Sequence, residues 1–288
     1  MCAHYRSATL TNKGIAMANA SLSSDFSPIA AQYDATRDMP HALLETFYQR
    51  LIDQRIIPLG GTLLDAGCGT GQMSLALSHL DFTIRGYDIS PTMIDIARSK
   101  LGPASRASYD VADVRSLPEH DAAFDTVLVS KLFMHIQDWR QACRELLRVL
   151  KPGGCLIEIF EPASYDNAVR RHFSELADAM GYTDRFAGLD PRDRANFVSF
   201  LTEEGCEKIS VDVSGLRWQK RVRHGDILKH FADRILAEFW YLPDHIYNDI
   251  LAKTIQWVED EPSGRETLED MAPYLAAQVF RKKTAREA

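Results

Sequence analysis

The 288-residue sequence contains no apolar run approaching the roughly 20 residues that a membrane-crossing helix needs. It also lacks a continuous apolar signal segment followed by a small-residue cleavage site near its start. Its five cysteines, Cys2, Cys68, Cys143, Cys155 and Cys206, are odd in number, and none forms a close pair with zinc-finger or redox spacing. That points away from a disulfide-stapled scaffold and predicts a reducing, cytoplasmic setting in which cysteines serve as small apolar side chains. No compact group of His, Asp or Cys has convincing ligand spacing, so no metal is expected. Excess positive charge is missing as well. A formal net charge of −7 argues against a general hold on DNA or RNA, although a local basic groove can exist on an acidic protein.

What is present is an alternation of strand and helix signals. His41 to Ile57 reads as a helix with an apolar stripe of Leu44, Phe47, Leu51 and an isoleucine at 52 or 56, ended by Pro58 and Gly60-Gly61. Thr62 to Ala66 reads as a buried strand, Gly67 to Gly71 as a glycine-rich turn, and Gln72 to about Leu80 as a helix. The rhythm repeats through a strand at Phe82 to Tyr87, a helix at Pro91 to Leu101 capped by Ser90, and strands at Ala107 to Val111 and Phe124 to Val129. A helix from about Trp139 to Val149 and a fifth strand at Cys155 to Phe160 close the series. Strands separated by helices at this rhythm predict a parallel sheet covered on both faces.

After Glu161 the rhythm changes. Helical segments are expected around Val169 to Met180, Pro191 to Leu201 and, with a break near Pro243, His224 to Val258. Strands are expected at Lys208 to Val213 and Tyr274 to Lys283. The domain reading is an N-terminal arm and covering segment at 1–40, a ligand-binding core at 41–162, a first helical cap segment at 163–206, a sheet strand at 207–215, a second cap segment at 216–272 and a terminal core strand at 273–288.

Leu63 to Gly71, reading LLDAGCGTG, ends a strand in alternating glycines. Such a turn lets backbone approach a ligand at the C-terminal edge of an open parallel sheet. A dinucleotide-binding turn wants a third glycine where this chain has Gln72, and the early acidic residue Asp65 also departs from that pattern. The run instead resembles the first motif of the class I, Rossmann-like S-adenosylmethionine-dependent methyltransferases. The resemblance implies that the turn, with Gly67, Cys68, Gly69 and Gly71, passes under the methionine part of the cofactor, and that Asp65 positions the loop and the amino group.

The next landmarks follow in order. Asp88 ends the second strand 17 residues after Gly71, where a carboxylate can accept both hydroxyls of a ribose. The resemblance gives Asp88 that role and places Ile89 and Met93 beside the adenine. It also implies that Asp113 accepts from the adenine amino group while Val114 offers a backbone contact. Ser130 to His135 matches a loop under the methionine moiety, Asp138-Trp139 the helix start after it, and Leu146 to Gly154 the turn into strand five. Upstream, Tyr33 to Arg37 resembles a Tyr-Asp-x-x-Arg segment common in that family, and the resemblance implies that Tyr33 lies over the cofactor's methionine portion. These landmarks cover residues 62–160 and look most like the methyltransferase type 11, ubiquinone-biosynthesis-like subgroup. The fold implied is a three-layer α/β sandwich with a mostly parallel seven-stranded sheet and an inserted helical cap.

Methyl transfer from a sulfonium needs an aligned acceptor, a site that excludes water and, for a hydroxyl or activated carbon, a base. His135 is the candidate base, since imidazole titrates near neutrality. Glu161, Tyr165 and His172 follow strand five and are the candidates for the acceptor side. A basic stretch at residues 216–234 could attract phosphate, yet more often such a stretch is a solvated helix face. The expected acceptor is a small molecule, a natural-product or secondary-metabolism intermediate enclosed by the cap. A methyltransferase acting on RNA or protein and a noncatalytic S-adenosylmethionine-binding protein are the alternatives. The acceptor atom and the oligomeric state are left open.

Overall fold

The computed structural model describes residues 26–36, 39–78, 80–184 and 186–284. The expected arm at 1–24, Cys2 and Arg37 lie outside the described residues.

Among the described residues nine strands form: β1 (Thr62–Ala66), β2 (Thr83–Asp88), β3 (Ala107–Val111), β4 (Phe124–Ser130), β5 (Leu150–Phe160), β6 (Cys206–Ile209), β7 (Lys220–Arg223), β8 (Leu268–Met271) and β9 (Ala276–Lys282). Seven of them make one sheet in the order β3-β2-β1-β4-β5-β9-β6. The first five pair in parallel, whereas β9 runs antiparallel between β5 and β6. This is a Rossmann-like α/β sandwich, and its strand order reverses next to β1. Ligands in open α/β sheets sit at such a switch point, outside the carboxyl ends of the strands. The Lys-Pro-Gly-Gly run read as a stop lies inside β5. Pairing to β4 is irregular there, stepping from Phe124 opposite Leu150 to Thr126 opposite Cys155.

Two helical layers cover the sheet. On one face, α1 (His41–Asp53) buries Leu44, Phe47, Tyr48 and Leu51 against Leu63, Leu128 and Ile157. Each such side chain is worth about 1.5–3 kcal/mol when fully buried. The short α2 (Gln72–Leu75) lies on the same face, and α3 (Pro91–Ser99) packs Ile94 and Ala97 on Tyr109. On the other face, α4 (Trp139–Val149) and α6 (Arg194–Glu203) enclose Val127, Val129 and Leu156. The helix expected to reach Leu80 ends at Leu75, and the chain continues in turns over residues 76–78.

The remaining helices, α5 (Ala168–Ala179), α7 (His224–Ala232) and α8 (Asp244–Glu259), form a separate apolar cluster around Phe173, Phe231, Phe239 and Tyr247. The stretch expected as an all-helical second cap segment also contains a hairpin-like pair. There, β7 and β8 join antiparallel from Lys220 opposite Met271 to Arg223 opposite Leu268. Their charged residues satisfy one another in solvent, as Arg221 does with Asp270 at 2.5 Å, so no apolar period betrays them. Among the described residues no helix is long and apolar enough to cross a membrane.

Candidate active site

The glycine turn after β1 is held from below. Gly67 and Cys68 donate their N–H groups to the Tyr87 carbonyl at 2.8 and 3.0 Å. Gly67 has φ +68, and a Cβ there would meet Leu132 Cδ1 at 2.5 Å, so only glycine fits. Gly69 differs. At φ +52, its missing Cβ would meet nothing within 4 Å, and the residue lines a cavity. Cys68 points down into the packing of Ile94, Ala97 and Tyr109, and Gly71 caps α2 beside the Tyr109 ring. Neither is among the cavity-lining residues.

Asp88 ties this turn to the next helix. Its Oδ2 accepts from Gly69 N and its Oδ1 from Ser90 N, both at 2.9 Å. A carboxylate oxygen can accept from more than one donor. Ile89, Met93, Val114 and Asp113 line the same end of the cavity. The Asp113 carboxylate has a partner that sequence reading did not give it. Arg115 donates Nε and Nη2 to it at distances from 2.6 to 3.0 Å, and these hydrogen bonds hold the acid below its usual range. Any adenine amino group would have to share that carboxylate with Arg115.

Asp65 lies beneath the turn and outside the cavity lining. It is 2% exposed and accepts from Ser74 Oγ at 2.6 Å, which fixes the start of α2 to the end of β1. Burial pushes its carboxyl from 3.8 to about 6, against the hydrogen bonds from Ser74 and with help from Asp88. The raised acid favours the proton-bound fold, so the ionised carboxyl costs stability at neutral pH, a cost relieved as pH falls through about 6 toward 4. Asp65→Asn is therefore expected to raise stability at pH 7.5 by about 1–3 kcal/mol, with the gain gone by about pH 4. Urea melts of both proteins at the two pH values test this. A variant less stable than the parent at pH 7.5 would show the carboxylate to be a stabilising partner instead.

Residues 26–36 cross the front of the cavity as a strap of short helical turns. Asp34 accepts from Thr70 Oγ1 at 2.5 Å and pairs with Lys100. Ser27 and Ser90 share a hydrogen bond at 2.8 Å. Phe26 stands edge-on to His135 with ring centroids 4.9 Å apart and lies 5.0 Å from the Trp240 ring. The strap thus joins the glycine turn, the start of α3, the loop after β4 and the cap. Tyr33 lines the cavity from this strap.

The cavity, about 550 Å³, continues from Asp88 and Asp113 past Ser130 and His135 to Glu161 and Tyr165. Ser130 brings a buried hydroxyl with no hydrogen-bond partner. Glu161 is almost fully buried and paired with Lys131 Nζ at 2.9 Å. Lys131 sits at φ +52, a costly backbone for a lysine, which turns the chain out of β4. His172 is not among the cavity-lining residues, and its imidazole stacks on Trp257 at 4.4 Å.

Several cavity residues escaped sequence reading. Arg170 and Glu238 bridge α5 to the cap through bonds of 2.7 and 2.5 Å, and Arg194 pairs with Glu158 at 2.8 Å. Glu158 alone left a signal, as an acid inside the apolar run Leu156 to Phe160. Among the described residues no group of His, Cys, Asp or Glu is arranged to hold a metal ion.

Residues 64–157 match the family described as a methyltransferase domain. The methyltransferase GfsG of Streptomyces halstedii is 30% identical over 194 residues, which cover 65% of this chain and 66% of that protein. A ubiquinone/menaquinone biosynthesis C-methyltransferase, UbiE, of Klebsiella pneumoniae is 32% identical over 205 residues, covering 64% of this chain and 82% of that one. The chain spans between 41% and 66% of the length of four of the curated relatives it matches. Among solved structures, the YcgJ protein of Bacillus subtilis superposes with a TM-score of 0.56 at 18% identity, over 85% of this chain and 100% of that one, a likeness of fold.

Proposed function

The chain belongs to the class I S-adenosylmethionine-dependent methyltransferase superfamily, and on that premise we propose that it methylates a small organic molecule enclosed between the sheet edge and the helical cap. The observation that carries this reading is the single cavity of about 550 Å³ that runs from Asp88 to Tyr165 and Leu236. Its size falls within the range of small-molecule sites.

The residues fit the cofactor. Gly69 leaves an open cradle at the turn, Asp88 keeps acceptor capacity beside it, and Ile89, Met93 and Val114 supply apolar walls. When bound, S-adenosylmethionine supplies an electrophilic methyl carbon on a positively charged sulfur. Asp88 would hold the ribose hydroxyls, Gly67 and Gly69 the amino-acid end, and Asp113 with Val114 the adenine edge. Tyr33 and Phe26, on the strap, exclude water from the front. His135 takes the acceptor proton on an imidazole nitrogen. Glu161 and Tyr165 contact the acceptor. Buried carboxylates at Glu158 and Glu161 lie on the same cavity wall and favour a positive donor.

A nucleic acid acceptor is disfavoured by the state of the basic stretch. Arg221 is paired with Asp270, Arg223 with Asp226 and Glu266, Lys229 with Asp233, and Arg234 with Asp244. Charges already paired offer little to a phosphate backbone. The relatives lend a second support. The ubiquinone/menaquinone biosynthesis C-methyltransferase of Klebsiella pneumoniae, among the similar proteins, is named for the biosynthesis of small molecules.

Incubating the protein with methyl-labelled cofactor and a cell extract, then separating small from large products, tests the proposal. Label is expected in the small-molecule fraction. Label confined to tRNA or protein would replace this acceptor class, and cofactor binding without any transfer would leave a noncatalytic binding protein.

A further inference from the structure

Resting on the reading of a small-molecule acceptor, we propose that Arg194 is the acceptor-anchoring residue, and that it reads a carbonyl oxygen on a flat, uncharged molecule. Arg194 opens α6 and lines the cavity at the cap end. A guanidinium carries five N–H donors in a planar fork. Among the described residues only one bond uses them, from Nη1 to Glu158 Oε1 at 2.8 Å. Its Cζ sits over the Phe160 ring, 4.7 Å from the ring centroid, and 6.0 Å from that of Phe197. Such stacking fixes the fork in place while leaving its remaining donors open. Its side chain is 27% exposed, and an acceptor that displaces the water there must offer the open donors an oxygen, because donors left unmet are costly.

The acceptor's charge follows from the surroundings. The other cations on this wall are spoken for, Lys131 by Glu161 and Arg170 by Glu238, while Arg194 itself has Glu158. The positive charges of the wall are balanced one for one, so an additional anion would stand uncompensated near two buried carboxylates. A neutral carbonyl oxygen satisfies the open donors without that penalty. Its flat frame fits a chamber walled by Phe160, Tyr165 and Phe186.

The anchor is also held in register with the proposed base. Gly188 N donates to Met134 O and Leu189 N to Phe133 O, both at 3.0 Å, within the turn that carries His135. A Cβ at Gly188 would fall 2.1 Å from Phe133 O, so the two backbones touch. Arg194 follows a few residues later. Glu158, in β5, is the positioning residue: its carboxylate sets the rotation of the guanidinium about the stacking axis.

The experiment compares two neutral probes, 2-acetylnaphthalene and 2-ethylnaphthalene, which differ in one carbonyl oxygen, and adds 2-naphthoate as an anion. Each is titrated into the full chain saturated with S-adenosylhomocysteine. A single hydrogen bond to a charged donor predicts that the ketone binds about tenfold more tightly than the ethyl compound. The naphthoate should bind no better than the ketone. Arg194→Met should erase the ketone's advantage while S-adenosylhomocysteine affinity, read in a separate titration of the unliganded protein, stays unchanged and reports an intact fold. Glu158→Leu should lower the advantage and Glu158→Gln, which keeps an acceptor for Nη1, should restore it. Equal binding of the neutral pair, a preference that survives Arg194→Met, preference for the carboxylate, or no binding of any probe would each overturn the assignment. None of those outcomes touches S-adenosylhomocysteine binding or label transfer to small molecules, so the wider proposal stands or falls separately.

Discussion

Replacing Asp88 with alanine should weaken S-adenosylhomocysteine binding by about 100- to 10,000-fold. Two hydrogen bonds from a ribose diol to an ionised carboxylate are worth about 1.5–3 kcal/mol each, and every 1.4 kcal/mol is tenfold in affinity. The substitution also releases Gly69 N and Ser90 N, both held by this carboxylate at 2.9 Å. The turn would then lose the tether that keeps its open face toward the cavity. Asp88→Asn retains one acceptor oxygen, so an intermediate loss of about tenfold is expected. Isothermal titration with melting curves on the same samples separates lost binding from lost fold. Binding within threefold of the parent by a folded Asp88→Ala protein would remove the sugar-holding role.

His135→Ala should lower turnover by about 100-fold or more, the usual worth of a positioned general base, with S-adenosylhomocysteine affinity within about threefold of the parent. A base must be unprotonated, so the parent's kcat should rise with pH through the titration of an imidazole, and the variant should lose that rise. The ring also packs against Phe26, and a loosened strap could lower turnover by admitting water. Phe26→Ala separates the two causes, since it removes the packing and keeps the imidazole. If Phe26→Ala matches His135→Ala in both turnover and pH profile, the histidine serves packing and another group takes the proton.

The part of the cavity proposed to hold the cofactor was legible because its chemistry is local. Gly67, Gly69 and Asp88 sit at strand ends, where a short run of sequence fixes both backbone shape and place on the sheet edge. Their neighbours Ile89, Met93, Asp113 and Val114 came from the family resemblance and line the same cavity. The acceptor end was not legible, because each of its features joins segments far apart in sequence. Arg170 meets Glu238, Glu158 meets Arg194, and Phe26 meets both His135 and Trp240. Periodicity assigns a residue to a helix face and cannot say what that face meets, which is why His172 was expected near the acceptor and stacks on Trp257 instead. The β7–β8 pair escaped for a related reason. Lys220 to Arg223 carries mostly charge, and its partner strand lies across α7 and α8 in the chain.

The placement of β9 has an evolutionary consequence. The chain leaves the sheet after Phe160 and re-enters at Ala276, and these two residues face one another as register partners. Everything inserted between them, apart from the return of β6 to the sheet, begins and ends at adjoining points on one rim. An insertion so joined can be exchanged or redecorated, changing the methyl acceptor, while the half proposed to hold the nucleoside is inherited unchanged. The stretch shared with the methyltransferase domain stops at residue 157, just short of that junction.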